Sequence, residues 1–350
     1  MEFSDLLINW YWEHKRELPW RETTDPYKIW ISEIILQQTR VVQGMEYYHN
    51  FLQHFPDVKS LAEAEEEEVL KCWQGLGYYS RARNLHFAAQ TIMGKHGGTF
   101  PLKHEDVLAL KGIGDYTAAA ICSFAYGQPY AAVDGNFYRV LARVFEIETP
   151  IDSTKGKKDF YALAQELISK EHPALFNQAM MDIGATVCTP TSPNCQECPL
   201  QNMCLASAHR RIAELPVKSK KNSSKDRYFY YFLIKGNGQT YLHRREENDI
   251  WKGLYELPLV ETPAPMSIDE VLAFAQGTKF SDSFSIRQID HVHASITHIL
   301  SHQRIHATLI EATADFHPQQ NAVYKQIPET EMGDYPVSRL TEILLGDNFS

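Results

Sequence analysis

Two carboxylates, one cluster of cysteines and one pair of glycines are the residues whose types and spacing point to chemistry. Glu33 lies in the run PYKIWISEIILQQT, with Ile29, Trp30, Ile34 and Gln37 as helical neighbours. An acid beside Trp and Ile is partly desolvated, which disfavours its charged form and keeps the proton on. The plain alternative is an acid at the edge of an amphipathic face. Asp134 precedes Gly135-Asn136 and a helical pattern carrying Val140, Leu141, Val144 and Phe145, where it reads as an N-cap. That cap is compatible with chemistry, because N–H donors at a helix start hold a carboxylate ionised. One carboxyl pushed toward neutral and another held as an anion make an acid and a cation stabiliser. Cleavage of a glycosidic bond requires that division of labour.

Cys188, Cys195, Cys198 and Cys204 follow the spacing C-x6-C-x2-C-x5-C, with Pro190, Pro193 and Pro199 between them. Four thiolates on one compact loop hold either a tetrahedral zinc or a cubic iron–sulfur cluster, and the spacing alone leaves both open. Without a secretion signal, such crowding favours metal over disulfides. Cys72 and Cys122 fall in helical patterns and read as small core residues. Gly112 and Gly114 join two helical patterns in LKGIGDYTAAAI. Glycines there permit a tight turn, and the helix that follows offers free N–H groups and a positive dipole end to a phosphate. Such a contact is insensitive to base sequence.

These residues need elements to hold them. Residues 1–208 read as mostly helical. Asp25-Pro26 is a helix start, and further helical patterns cover about 60–74, 81–94, 104–110, 116–125, 136–146, 157–170 and 173–186. Residues 209–227 are polar, basic and poor in large apolar side chains, the composition of a linker. Over 228–350 the period changes to two: strands at 228–235, 240–244, 285–293 and 303–312, with helices at 267–276 and 336–345, make a small α/β domain. The 350 residues thus form a multidomain chain. No apolar run is long enough to span a bilayer, and the N-terminus is not a secretory signal, which together place the protein in the cytoplasm. The net charge of −10 argues against nucleic acid as a partner if taken globally, but acid is concentrated at Glu63–Glu68, read as a solvated helix start. Basic residues cluster elsewhere, at Arg81 and Arg83, Arg139 and Arg143, and from Lys218 to Arg227.

The motifs LPWR at 18–21, PYKIWISEIILQQT at 26–39, WQGLGYYSRARNL at 73–85, LKGIGDYTAAAI at 110–121, VDGNFYRVLAR at 133–143 and FNQAMMDIGATVCTP at 176–190, with the cysteine spacing, extend over the helical half. It resembles the helix-hairpin-helix DNA glycosylases that carry an iron–sulfur cluster, the endonuclease III and MutY group, and within them the MutY-type adenine DNA glycosylases. The resemblance implies a six-helix barrel over about 22–130 beside a cluster domain formed from 1–21 and 131–208. It implies one [4Fe–4S] cluster on Cys188, Cys195, Cys198 and Cys204, structural rather than catalytic. It also implies removal of adenine opposite 8-oxoguanine or guanine from double-stranded DNA, by a monomer working at the bacterial nucleoid.

In that reaction the adenine is flipped out of the duplex; glycosylases are a standard instance of base flipping. Glu33 matches the family's general acid, protonating N7, and Asp134 the group that stabilises the oxocarbenium-like sugar as an anion or traps it covalently. Tyr116 and Asn136 match residues on the sugar side, Arg21 and Gln178 positions near the adenine, and Gln38 and Tyr78 wedges in the base stack. Endonuclease III relatives carry a nucleophilic lysine where this chain has Tyr116, so base release without strong strand cleavage is expected. The C-terminal half resembles the family's nudix-like domain through Trp251–Pro258. It lacks the carboxylates of the nudix box, which implies recognition of the lesion without hydrolysis. Leu300-Ser301-His302 matches a Phe-Ser-His loop that reads 8-oxoguanine, with Leu replacing Phe. The histidines at 291, 293, 298, 302 and 306 fit alternating strand positions better than a metal site. Competing readings are a pyrimidine-directed endonuclease III relative, a mismatch-binding module without activity, and nucleotide hydrolysis by the tail.

Overall fold

A computed structural model describes residues 2–219, 224–246, 249–317 and 323–346; part of the expected linker, 220–223, lies outside them. The chain forms two compact units, the first from residues 1–63 and 84–220, the second from 64–83 and 221–350.

The first unit is helical. Its helices are α1 (Phe3–His14), α2 (Pro26–Ile35), α3 (Val41–His54) and α4 (Val58–Glu63), then, after α5 (Glu66–Cys72) of the second unit, α6 (Ser80–His96), which begins in the second unit and ends in the first. They continue with α7 (His104–Leu108), α8 (Asp115–Tyr126), α9 (Gly135–Val144), α10 (Thr154–Leu167), α11 (Pro173–Thr186) and α12 (Leu205–Ala208). The expected start of α2 is realised: Asp25 accepts from the Tyr27 N–H at 2.9 Å and Pro26 opens the first turn. Helix α2 is buried on nearly every side, with Ile29, Trp30, Ile31, Ile34 and Ile35 in the core, which is the pattern of a central helix rather than a surface one. Around it pack α3 and α8, while α11 meets α1, α8 and α9. Two helices not singled out in the sequence, α1 and α3, follow from apolar residues at helical spacing: Phe3, Leu7 and Tyr11 in one, Gly44, Tyr48 and Phe51 in the other. The pattern expected at 60–74 divides into α4 and α5 at Ala64-Glu65.

Among its described residues the second unit is built on a five-stranded sheet and a three-stranded one. Its strands are β1 (Lys225–Ile234), β2 (Gln239–Arg244), β3 (Tyr255–Glu256), β4 (Leu259–Thr262), β5 (Phe284–Val292), β6 (Ile296–Ile299), β7 (Gln303–Phe316) and β8 (Tyr324–Pro328), with helices α13 (Ile268–Phe274), α14 (Lys279–Ser283) and α15 (Arg339–Leu345). Strand β1 runs parallel to β7 and antiparallel to β4. Its side chains divide by period two: Phe229, Tyr231 and Leu233 join Leu340 and Leu345 in one core, whereas Tyr230, Phe232 and Ile234 join Val271 and Phe280 in another. A strand covered on both faces reads as a continuous apolar run, as YFYYFLI does.

Helix α5 belongs to this second unit. The acid run opens it with a Glu65/Glu68 capping box, as a helix start should. Two of its acids are more than solvated surface: Glu66 pairs with Arg244 at 3.0 Å and Glu67 accepts from the Tyr255 hydroxyl at 2.6 Å. Gln74 bonds Glu342 at 2.5 Å, and Tyr79 donates to the Val337 carbonyl at 3.0 Å. Gly253, at φ +84°, lies where a Cβ would come within 3.2 Å of Leu70, so the WKGLYELP turn is closed against α5 by a missing side chain.

Candidate active site

The two carboxylates lie near enough for the charge of one to act on the other, and a tyrosine bonds the first. Glu33 points from α2 into the core and is only 6% exposed, so it is no edge-of-face acid. Tyr116, in the first turn of α8, donates its hydroxyl to Glu33 Oε2 at 2.6 Å. Burial pushes the Glu33 carboxyl up to about 7; the Tyr116 bond opposes this, the charge of Asp134 adds to it, and Arg21 opposes it. The Tyr116 hydroxyl is itself driven well above the ordinary phenol range by burial and by the two carboxylates. Its proton therefore stays on, and it acts as a donor.

Asp134 caps α9. Its Oδ1 accepts from the N–H groups of Asn136 and Phe137, both at 2.9 Å, and its Oδ2 accepts from Asn136 Nδ2 at 2.6 Å. The helix behind the cap is anchored by Phe137, Val140, Leu141 and Val144, one buried stripe at helical spacing. Burial outweighs the donors, so the Asp134 carboxyl is raised, while the three N–H groups and Arg139 favour its anion. Asn136 is fixed in turn by Arg139, whose guanidinium donates to Asn136 Oδ1, to the Gly184 carbonyl and to the Cys188 carbonyl, each at 2.7 Å. Gly184 has no side chain because Asn136 occupies the space: a Cβ there would stand 2.4 Å from the Asn136 Cβ.

Arg21 and Gln178 are held close by. Arg21 makes a two-pronged bond to Asp182, both contacts at 2.7 Å, and its guanidinium lies 5.7 Å from the centre of the Tyr11 ring. The Tyr11 hydroxyl donates to Gln178 Oε1 at 2.6 Å. Asp182 and Tyr11 escaped the sequence reading. The signal for Asp182 was its position four residues after Gln178 on α11, hence on the same face; Tyr11 is brought in from the far end of the unit and left no local sign.

At the glycine hairpin, Gly112 has φ +80° and an added Cβ would sit 2.6 Å from that of Asn84. Gly114 is the N-cap of α8, and no side chain caps that helix end. Gln38, just past α2, is exposed and has φ +59°, a conformation that non-glycine residues hold only under constraint and often at functional sites.

In the second unit Tyr78 shares this left-handed backbone, at φ +48°, and is 51% exposed. Its hydroxyl lies 2.6 Å from Ser301 Oγ. Ser301 and His302 are exposed in the turn between β6 and β7, whereas Leu300 packs against the core of the unit. Among the histidines, His293 pairs with Glu311 and His306 with Asp226, each at 2.8 Å.

The four cysteines line one pocket with Arg143 and Leu200. Arg143 is 2% exposed; it reaches Cys188 Sγ at 3.4 Å and bonds the carbonyls of Thr189, Pro190 and Leu215. Four thiols around one apolar pocket beside a buried cation fit a thiolate-held cluster, because the cation offsets the negative charge such a group brings.

Comparison with known proteins covers both halves. Residues 31–170 match the HhH-GPD superfamily base excision DNA repair protein model, residues 188–204 the iron-sulfur binding domain of endonuclease III, and residues 229–346 the NUDIX domain. The chain is 36% identical over 257 residues to the adenine DNA glycosylase of Buchnera aphidicola subsp. Acyrthosiphon pisum, covering 73% of each chain. It is 40% identical over 233 residues to the human adenine DNA glycosylase, covering 64% of this chain and 43% of that one. Among solved structures it is similar to a thermostable thymine-DNA glycosylase, with TM-score 0.56 and 29% identity over 59% of this chain and 95% of the other. A non-covalent endonuclease III–DNA complex shares the fold at TM-score 0.52 and 21% identity, over 60% of this chain and 99% of the other.

Proposed function

The chain belongs to the adenine DNA glycosylases, and from that premise we propose that it hydrolyses the N-glycosidic bond of adenine mispaired with 8-oxoguanine or guanine in duplex DNA. The observation that carries the reading is the Glu33–Tyr116–Asp134 group: a carboxyl whose pKa near 7 leaves a transferable proton at neutral pH, beside a second carboxyl furnished with three N–H donors.

Glu33 gives its proton to N7 of the flipped adenine. The glycosidic electron pair leaves with the base, and the sugar becomes oxocarbenium-like. Asp134 balances that charge as an anion, held in place by Asn136 and, behind it, Arg139. Glu33, now a carboxylate, takes a proton from the attacking water. Tyr116 keeps its hydrogen bond to Glu33 through the cycle and offers no amine, so strand cleavage through a Schiff base does not follow. Arg21 and Gln178 border the base, and the hairpin glycines bring backbone N–H groups to a phosphate.

Cys188, Cys195, Cys198 and Cys204 would hold the iron–sulfur cluster, read as [4Fe–4S]. When bound, it would supply a structural cross-link for the loop of residues 188–204. Metal analysis checks this: about four irons per chain are expected for such a cluster, against one zinc for a tetrahedral site.

The nudix-like unit reads the opposite base without hydrolysing nucleotides. Ser301 is the group suited to the lesion's altered edge. The Tyr78–Ser301 hydrogen bond supports a shared role for the wedge position and the lesion-reading loop. With Leu300 packed inward, Ser301 and His302 carry the recognition, and Tyr78 and Gln38 hold the vacated stack open.

Adenine release from a duplex with one A:8-oxoguanine pair tests the assignment. Glu33→Gln should abolish release while duplex binding persists. Release at the parental rate would show that Glu33 is not the acid.

A further inference from the structure

The proposed reaction uses Arg21 but not the carboxylate that holds it. Asp182 is wholly buried on α11 and takes two arginines at once. Arg21 grips both its oxygens at 2.7 Å; Arg16 adds its Nε to Oδ1 at 2.7 Å and its backbone N–H to Oδ2 at 3.1 Å. The Arg21 side chain is only 10% exposed, and it also donates to the Arg16 carbonyl at 3.2 Å. A planar guanidinium matched to a carboxylate in two parallel bonds has one orientation, so the charge it carries is fixed in space.

We propose that Asp182 is a positioning residue of the adenine pocket: by clamping the Arg21 fork it fixes in place the guanidinium that bears on Glu33. The inference rests on the reading of Glu33 as the general acid. Three groups bear on Glu33: Tyr116 from α8, Asp134 from the start of α9, and Arg21 from the turn before α2. On α3, which packs on α2, Glu46, His49 and His54 are exposed, Tyr47 is half-buried and Tyr48 is buried; α8 adds Asp115, Cys122 and Tyr126, and none of these is a fixed cation. Arg21 is thus the cation of the group, and it favours the Glu33 carboxylate. Asn in place of Asp182 would present an N–H donor to a guanidinium that has only donors, and the fork must turn away. Glu33 would then lose its nearby cation and hold its proton to higher pH.

The test is the pH dependence of single-turnover adenine release, from about pH 5.5 to 9, for the whole protein and for Asp182→Asn, Arg21→Gln and the double variant. The rate needs protonated Glu33, so its alkaline limb reports that group. Asp182→Asn should move the limb upward by roughly half a unit or more. Arg21→Gln should move it equally, and the double variant no further. A limb that stays in place while the rate falls at every pH would show Asp182 to be a structural clamp only. Additive shifts would likewise overturn the proposal. Should Asp182→Asn not fold, Asp182→Glu keeps the charge on a longer stem and should give a smaller upward shift; an unmoved limb there again refutes it. Failure of the underlying reading looks different, because Glu33→Gln would then keep a limb and a normal rate.

Discussion

Replacing Glu33 by Gln should make the protein more stable as well as inactive, and the gain should depend on pH. The Glu33 carboxyl rises from an ordinary 4.5 to about 7 on burial. A raised carboxyl pKa means that the folded state prefers the protonated form. Below pH 4.5 the group is protonated in both states and there is no penalty. As pH climbs, the unfolded chain releases its proton while the folded one holds it, and folding loses stability until pH passes about 7, above which the loss is constant. A rise of about 2.5 units at 1.36 kcal/mol each amounts to about 3 kcal/mol. Gln cannot ionise, is of the same size, and can still accept from Tyr116 through its carbonyl oxygen. Denaturant unfolding of parent and variant, followed by helical circular dichroism, should therefore show the variant slightly ahead at pH 5, with a gap that widens to about pH 7 and then levels off to pH 8. If the variant were no more stable at pH 8 than at pH 5 relative to the parent, burial would not be what holds the proton, and the account of the acid would fall. Such a cost, at the position proposed as the acid, is the usual trade between stability and activity.

Three further outcomes follow from the geometry. Tyr116→Phe removes a donor that favours the Glu33 carboxylate, so the alkaline limb of base release should rise by about one pH unit, the equivalent of one charge-assisted hydrogen bond; an unmoved limb in a pH–rate series would contradict this. Gly184→Ala improves helix propensity by about 1 kcal/mol yet drives a methyl into Asn136. Single-turnover release should fall roughly tenfold to a hundredfold as Asp134 loses its placed donor, and a parental rate would mean that Asn136 is not what orients Asp134. Gly112→Ala, strained at φ +80° and blocked by Asn84, should weaken duplex binding about tenfold in a titration at fixed salt, whereas Gly114→Ala, with open space at its Cβ and φ −104°, should bind like the parent.

Much of this site was legible because it is written in local signals. Asp25-Pro26 and Asp134-Gly135-Asn136 announce helix starts through cap chemistry, and both structures form as caps. The raised pKa of Glu33 followed from its neighbours on α2, but the extent of its burial did not, because α2 is covered by α8, distant in sequence, as well as by the adjoining α3. The hydrogen bond from Tyr116 shows the same limit: α2 and α8 meet only through the fold. The raised pKa of Asp134 ran against the expected effect of its donors, since capping is a local property and desolvation depends on everything packed around it. Asp182, Tyr11 and Gly184 touch other residues of the candidate site, and only for Asp182 does its spacing from Gln178 hint at it. In the C-terminal half the alternation marked the long strands, while the short β3, β4, β6 and β8 are defined by their partners.

The allegiance of residues 64–83 bears on how such a chain can be dissected or recombined. A cut near residue 220 would separate the tail from the piece of the front half that compacts with it. Fragments made that way would each expose surface that the intact molecule covers, and Tyr78 would lose Ser301, the neighbour that holds its hydroxyl. Anyone exchanging tails between relatives must therefore transplant two segments, a stretch of about twenty residues from the front together with the C-terminal portion. Inheritance faces the same constraint: a swap of the back half alone delivers a nudix-like unit without the front segment that compacts with it.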